Sequence, residues 1–201
     1  MSNNDYHFIT HWRMQNTTVR EVMEILGDAK DLARWWPSVY LDVKLLKPGD
    51  DHGVGSEISL YTKGYLPYTL RWDFRVAEVT LGHMRIEAKG DFAGRGIWTL
   101  TQDGDSVDIT YDWKISAEKP FLKTWSFALK PFFKANHIWA MRQGEESLRL
   151  ELARRHAKTD QERAEIPAPP PATNTSTAPL AVLRSSLGFM GYLVSRRLSS
   201  N

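Results

Sequence analysis

Between residues 70 and 76 the chain reads Leu-Arg-Trp-Asp-Phe-Arg-Val, a bulky apolar group at every even position and a charge at every odd one. A strand sends alternate side chains to opposite faces, so this stretch predicts one wet face and one dry one. The pattern recurs along the chain. Ile58 lies between Glu57 and Ser59; Met84, Ile86 and Ala88 alternate with Arg85, Glu87 and Lys89; Val107, Ile109, Tyr111, Trp113 and Ile115 alternate with Asp108, Thr110, Asp112 and Lys114. Turn signals at Pro48-Gly49-Asp50-Asp51, Lys63-Gly64, Leu81-Gly82-His83 and Asp103-Gly104-Asp105 separate the segments. Short turns between successive strands predict an antiparallel meander over residues 40–116. Its wet face carries both signs of charge, the mark of cross-strand pairs in solvent rather than of a catalytic cluster.

The dry face must be covered, and the rest of the sequence supplies the helices to do it. Residues 7–14 read as a first strand. Thr17 with Glu21 opens a short helical run through Val19, Val22, Met23 and Leu26 that stops at Gly27, and Asp28 is placed to cap a second one carrying Leu32, Trp35 and Trp36 before Pro37. Residues 120–156 form a long helical pattern that begins at a proline and ends in basic residues. At about 100° per residue, Leu122, Trp125, Leu129, Phe132, Phe133, Asn136, Ala140, Gln143 and Ser147 share one stripe, apolar first and polar later. Pro131 is expected to kink or divide this helix.

Three parts follow from composition: a body over residues 1–157, a Pro/Thr-rich linker over 158–179, and a short basic tail over 180–201. In the tail Leu180, Leu183, Leu187, Met190, Val194 and Leu198 recur at helical spacing with three arginines and no acid. Peripheral contact with an anionic membrane through residues 180–198 is expected, against the alternatives of a disordered tail or one docked on its own body or on a second copy. The formal net charge of the 201-residue chain is +2, and the tail's arginines account for more than that, so the body is close to neutral and offers no footprint for nucleic acid. The chain has no cysteine, no secretory signal is visible, and no run reaches the roughly 20 apolar residues that span a bilayer. A cytoplasmic protein, peripheral to the membrane at most, is expected; the oligomeric state stays open.

No nucleophile motif, phosphate loop or zinc-type histidine pair is present, and neither metal nor cofactor is expected. Among the six histidines only His137 has an inward position; with Asn136 it forms the candidate pair for polarising a carbonyl or moving a proton. Seven tryptophans, at positions 35, 36, 72, 98, 113, 125 and 139, are enough to build a wide, rigid wall.

The double tryptophan in Ala33-Arg34-Trp35-Trp36-Pro37-Ser38-Val39, the strand at residues 70–76, Gly90-Asp91-Phe92-Ala93-Gly94-Arg95-Gly96-Ile97-Trp98, and Tyr111-Asp112-Trp113 leading into the long helix carry a family likeness. Over residues 5–155 the sequence resembles a bacterial-type subgroup of the SRPBCC/START-like superfamily, which includes polyketide cyclases and Bet v 1-like proteins. The resemblance implies an α+β helix-grip fold, a curved antiparallel sheet with two short helices wrapped around a long C-terminal helix, enclosing an apolar cavity. It brings no universal catalytic motif. The expected cavity wall is Trp72, Phe74, Trp98, Trp113, Trp125, Leu129 and Phe132, with Asn136 and Gln143 orienting a ligand oxygen. A hydrophobic small molecule, a lipid or a polycyclic or polyketide compound, is the expected partner, to be carried, sensed or sequestered. A cyclase or dehydratase using His137 and Asn136 is the alternative, and a recruitment adaptor acting through the tail a second one.

Overall fold

The computed structural model describes residues 5–118 and 120–173; in the helix that begins at Pro120, side chains are described from Lys130 onward. The segment 180–198 lies outside the described residues. The chain runs β1 (Asp5–Gln15), α1 (Val19–Gly27), a 3-10 turn (Ala29–Asp31), α2 (Leu32–Trp35), then β2 (Tyr40–Lys47), β3 (Glu57–Lys63), β4 (Thr69–Thr80), β5 (His83–Gly90), β6 (Phe92–Asp103) and β7 (Ser106–Ala117), and ends with α3 (Pro120–His156) and α4 (Asp160–Glu165). One seven-stranded sheet has the order β1-β7-β6-β5-β4-β3-β2, antiparallel throughout. It is an α+β helix-grip architecture, with the six-strand meander following strand one as the alternation predicts.

The register puts the predicted dry sets side by side. Trp98 pairs with Tyr111, Gly96 with Trp113, and Phe74 with Ile58 and Ala88. All are buried. On the wet face Arg13 grips Asp108 at 2.7 Å, His7 meets Asp112 at 3.0 Å, and Arg71 stacks over Tyr61 at 4.1 Å. The charges of the strands are thus absorbed in exposed cross-strand contacts, each a small contribution to stability.

Helix α1 starts one residue later than Thr17. Thr18 is the N-cap and forms a reciprocal capping box with Glu21, while the Thr17 hydroxyl donates to the same carboxylate at 3.1 Å. Asp28 makes no side-chain cap bond. What fixes α2 instead is Arg34, which donates to Asp31 and to the buried carboxylate of Glu151 on α3 at 2.7 and 2.9 Å. Arg155 adds a 3.2 Å bond to Glu151, so the buried charge is paired from two sides. The double tryptophan is thereby held under the long helix.

Helix α3 runs unbroken through Pro131, so the proline does not divide it. Its buried stripe is Met141, Gly144, Ser147, Leu148, Glu151 and Leu152, with Phe133, Asn136, His137 and Ala140 half-buried ahead of it. Compared with the predicted stripe the helix is rotated: Phe132 faces solvent, and Met141 and Gly144 take the inner place expected of Gln143. The reason is Gly144. Its bare Cα packs against the Trp36 indole, and a Cβ there would overlap three carbons of the ring. Downstream, the region read as linker holds α4, opened by a capping box between Thr159 and Glu162 that the sequence already contained. The chain then folds back until Thr173 reaches Lys63 and Gly64, its carbonyl accepting from Lys63 Nζ at 2.8 Å and its hydroxyl donating to the Gly64 carbonyl at 3.2 Å.

These contacts decide the sign of a substitution that helix propensity alone would get wrong. Gly144→Ala gains about 1 kcal/mol of intrinsic helix stability, but overpacking a rigid indole costs about 1–3 kcal/mol. We expect a net loss of up to about 2 kcal/mol, read as a lowered midpoint in denaturant unfolding with an unchanged slope; a stabilised variant would show that Trp36 is free to move aside.

Candidate functional site

Among the described residues, two apolar hollows lie inside the grip. The first, about 120 Å³, sits beneath Phe133, Asn136, His137 and Ala140 of α3 and against Tyr6, Phe8, Thr62, Lys63, Tyr68, Phe92 and Trp113. The second, about 300 Å³, lies toward the other end of the sheet, between Leu26–Lys30, the turn at residues 48–53 and the inner faces of β3 to β6, with Phe74, Met84, Ile86 and Trp98 in its wall. Exposed Leu45, Pro48 and Asp50 form its rim. Trp36, Tyr40, Trp72, Tyr111 and Met141 belong to both hollows and form the partition between them.

The wall is a connected aromatic lattice. Trp98 stacks on Tyr111 at 4.0 Å, Tyr111 on Trp113 at 5.6 Å, and Trp113 tilts against Trp72 at 5.6 Å. Trp12 ties Trp98 to Trp36, at 5.3 and 5.7 Å. Such contacts leave the rings little rotational freedom, so the hollows have rigid sides. Their polar groups are few. Trp72 Nε1 donates to Thr62 Oγ1 at 3.0 Å. Trp36 Nε1 is buried with no hydrogen-bond partner among the described residues. Burial pushes the ionisation of Tyr40 and Tyr111 upward, so both stay neutral phenols.

At the α3 side of the first hollow, Asn136 Oδ1 accepts from the Leu66 backbone N–H at 3.1 Å, and its side chain lies so close to Gly64 that a Cβ there would overlap it. His137 stacks on Phe8 at 4.3 Å, with Nε2 3.3 Å from Thr10 Oγ1. Burial lowers its pKa to about 4, so the imidazole is neutral at physiological pH. Burial also pulls Lys63 below the ordinary lysine value.

Solved structures share the fold. No protein-family model and no curated protein matches the chain. Among solved structures, the ZhuI aromatase/cyclase from a Streptomyces species superposes with a TM-score of 0.59 at 15% identity, over 77% of this chain and 97% of that one. A START superfamily protein from Mycobacterium smegmatis gives 0.54 at 15% identity, over 71% and 98%. A protein from Thermus thermophilus gives 0.57 at 13% identity, over 71% and 97%. The chain has the START-type helix-grip fold.

Within this START-type fold the sequence-predicted wall falls into three groups. Trp72 borders both hollows, Trp113 and Asn136 the first, and Phe74 and Trp98 the second; His137 borders the first. Phe132 is 57% exposed and borders neither, because the close seat of Gly144 on Trp36 turns that position outward. Gln143, half-buried, borders neither for the same reason. The side chains of Trp125 and Leu129 lie outside those described. Asn136 and His137 both border the first hollow, the Asn136 oxygen accepting from the Leu66 amide and His137 Nε2 lying beside Thr10 Oγ1. Of the partition residues, Trp36 was expected among the wall-building tryptophans, whereas Tyr40, Tyr111 and Met141 were not foreseen as part of the wall. Tyr111 could have been, since it alternates with Trp113 on the dry face; Met141 could not, since its place depends on the rotation of α3.

The buried imidazole makes stability depend on pH. Its folded pKa of about 4 lies below the value of about 6.5 in an unfolded chain, so the unfolded state takes up the proton first. Its contribution is complete above about pH 6.5 and declines as pH falls toward 4, with a slope of up to one proton. His137→Gln should flatten that part of the stability profile in denaturant titrations; an unchanged profile would mean the ring is solvated in the native state.

Proposed function

We propose that the domain binds a flat, largely apolar small molecule between the sheet and α3, holding it for carriage, sensing or sequestration. The observation that carries this reading is the pair of hollows with rigid aromatic sides, sharing a wall in which the buried Trp36 N–H has no acceptor among the described residues. A buried donor left without an acceptor is costly, and a ligand oxygen would supply one. At about 300 Å³ the larger hollow stands at the small end of ligand pockets. Rigid, ring-lined sides favour a polycyclic body over a flexible chain, which would lose more conformational entropy on binding. The likeness of fold to a protein named as an aromatase/cyclase supports the same ligand class.

The test fills the hollows from within. Val76 borders the second and Ala140 the first. Organic extraction of the purified protein and mass spectrometry should recover a small apolar compound, and Val76→Phe should lower affinity for that compound, or for anilinonaphthalene sulfonate, by about tenfold or more. Native near-ultraviolet circular dichroism guards against misfolding. If nothing is extracted and neither Val76→Phe nor Ala140→Phe alters probe binding, the hollows are packing defects and the reading fails.

A second reading, a cyclase or dehydratase, is favoured by one observation, the neutral imidazole of His137 at the wall of the first hollow. A base with a pKa of about 4 is weakly matched to neutral pH, so this reading ranks below binding. It expects His137→Ala to abolish turnover of a polyketide-like substrate while binding stays within a few-fold; joint loss of both would mark His137 as structural.

A further inference from the structure

The first half of α3 presents an outward face that the cavity reading leaves unused. Phe132, Ala135, Ile138 and Trp139 fall within an arc of about 120°, opposite the residues that touch the hollows. Phe132 is 57% and Ile138 55% exposed. Beside them the β3–β4 loop, Gly64-Tyr65-Leu66-Pro67-Tyr68, carries no charge, and Tyr65, 64% exposed, packs against Trp139 at 6.1 Å. Single exposed apolar residues are ordinary; a cluster of large ones drawn from two elements marks a contact surface.

Charge identifies the partner. Between Glu118 and Glu145 the chain carries Lys119, Lys123, Lys130, Lys134 and Arg142 and not one carboxylate. Of these, Lys130, Lys134 and Arg142 are exposed. The second half of α3 differs: Glu145 and Glu146 pair with Arg149, and Glu151 with Arg155. An apolar patch among cations alone complements an anionic lipid surface, whose headgroups carry the charge and whose acyl boundary takes up the apolar residues. The C-terminal segment argues the same way. Thr173, bonded to Lys63 and Gly64, delivers the chain beside Tyr65, and residues 174–201 contain three arginines and no acid. Like charge opposes that segment covering the patch; it favours both facing one anionic surface.

We propose that the outward face of α3 around Phe132, Ile138 and Trp139, with the Tyr65 loop, docks on an anionic lipid bilayer. This does not depend on the cavity being filled.

Flotation of the full-length protein with vesicles of phosphatidylcholine plus phosphatidylglycerol, compared with phosphatidylcholine alone, tests it. The wild type should partition to the anionic vesicles and be released by salt. Phe132→Glu/Ile138→Glu should lower partitioning by about tenfold or more, and Lys134→Gln/Arg142→Gln by about fivefold per charge removed. Leu187→Glu/Met190→Glu in the C-terminal segment should leave measurable binding. Thermal unfolding and extraction of the bound compound should match wild type in all three variants, which separates loss of docking from loss of fold or of the cavity. The proposal is overturned if the wild type ignores anionic vesicles or binds neutral ones equally, if Phe132→Glu/Ile138→Glu binds like wild type, or if only the C-terminal variant loses binding. It is also overturned if the face instead holds a second copy, seen as a dimer dispersed by Phe132→Glu/Ile138→Glu without vesicle binding.

Discussion

The Trp36 indole packs against the bare backbone of Gly144, and the interior geometry hangs on that contact. Trp36 comes from the turn after α2, which is clamped to α3 by Arg34 and the buried Glu151. Because no side chain intervenes at 144, the helix sits close at its C-terminal half, where Ser147, Leu148 and Leu152 are almost wholly buried. Ahead of that seat, Asn136, His137 and Ala140 are only half-buried. A helix pinned at one end over a concave sheet leaves space at the other. The first hollow is that space; the second lies beyond Trp36, where the sheet curls toward the turn at residues 48–53.

Much of the fold was legible because the sheet face obeys one rule. The dry sets of β4 and β7 are buried residue for residue as alternation predicts, Leu70 to Val76 and Val107 to Ile115. Such a rule works for a strand, whose side-chain period of two is fixed by the backbone. It works less well for α3. Large apolar residues occur all round its first half, so a stripe drawn through them has no unique rotation, and Phe132 and Phe133 were both placed on it when only Phe133 turns inward. The residue that sets the rotation, Gly144, has no side chain and no weight in a hydrophobic pattern. Buried charge was equally invisible: Lys63 and Glu151 are nearly inaccessible, and each depends on partners distant in sequence, Thr173 in one case and Arg34 in the other.

The candidate site was read less well than the fold for a related reason. Sequence can say that Trp72, Phe74, Trp98 and Trp113 point inward, but which of two hollows each one borders depends on where α2 and α3 place Trp36 and Met141. Asn136 shows the other limit. As a lone amide in an apolar stripe it suggested a ligand contact, yet its oxygen is needed by the Leu66 N–H, a backbone donor that the β3–β4 loop leaves otherwise unmet. A polar group on a helix facing a loop is more often claimed by that loop's backbone than by a ligand.

The partition between the hollows is unequal in stiffness, and that bears on what can be bound. Trp72 and Tyr111 are locked by stacking to neighbouring rings and by the Thr62 bond. Trp36 is locked by Gly144 on one side and by Trp12, Trp35 and Tyr40 on others. Met141 alone among the five is unbranched and free of aromatic stacking, with three rotatable bonds and a soft, polarisable sulfur. It is the one member of the wall that can swing without dismantling the lattice. On the proposed binding function, a compound no larger than the second hollow would occupy it with the wall as it stands, whereas one reaching from Trp98 to Phe133 would have to cross the partition, where Met141 is the member that yields most easily. Selectivity for length would then reside chiefly in that flexible side chain, and selectivity for flatness in the rings around it.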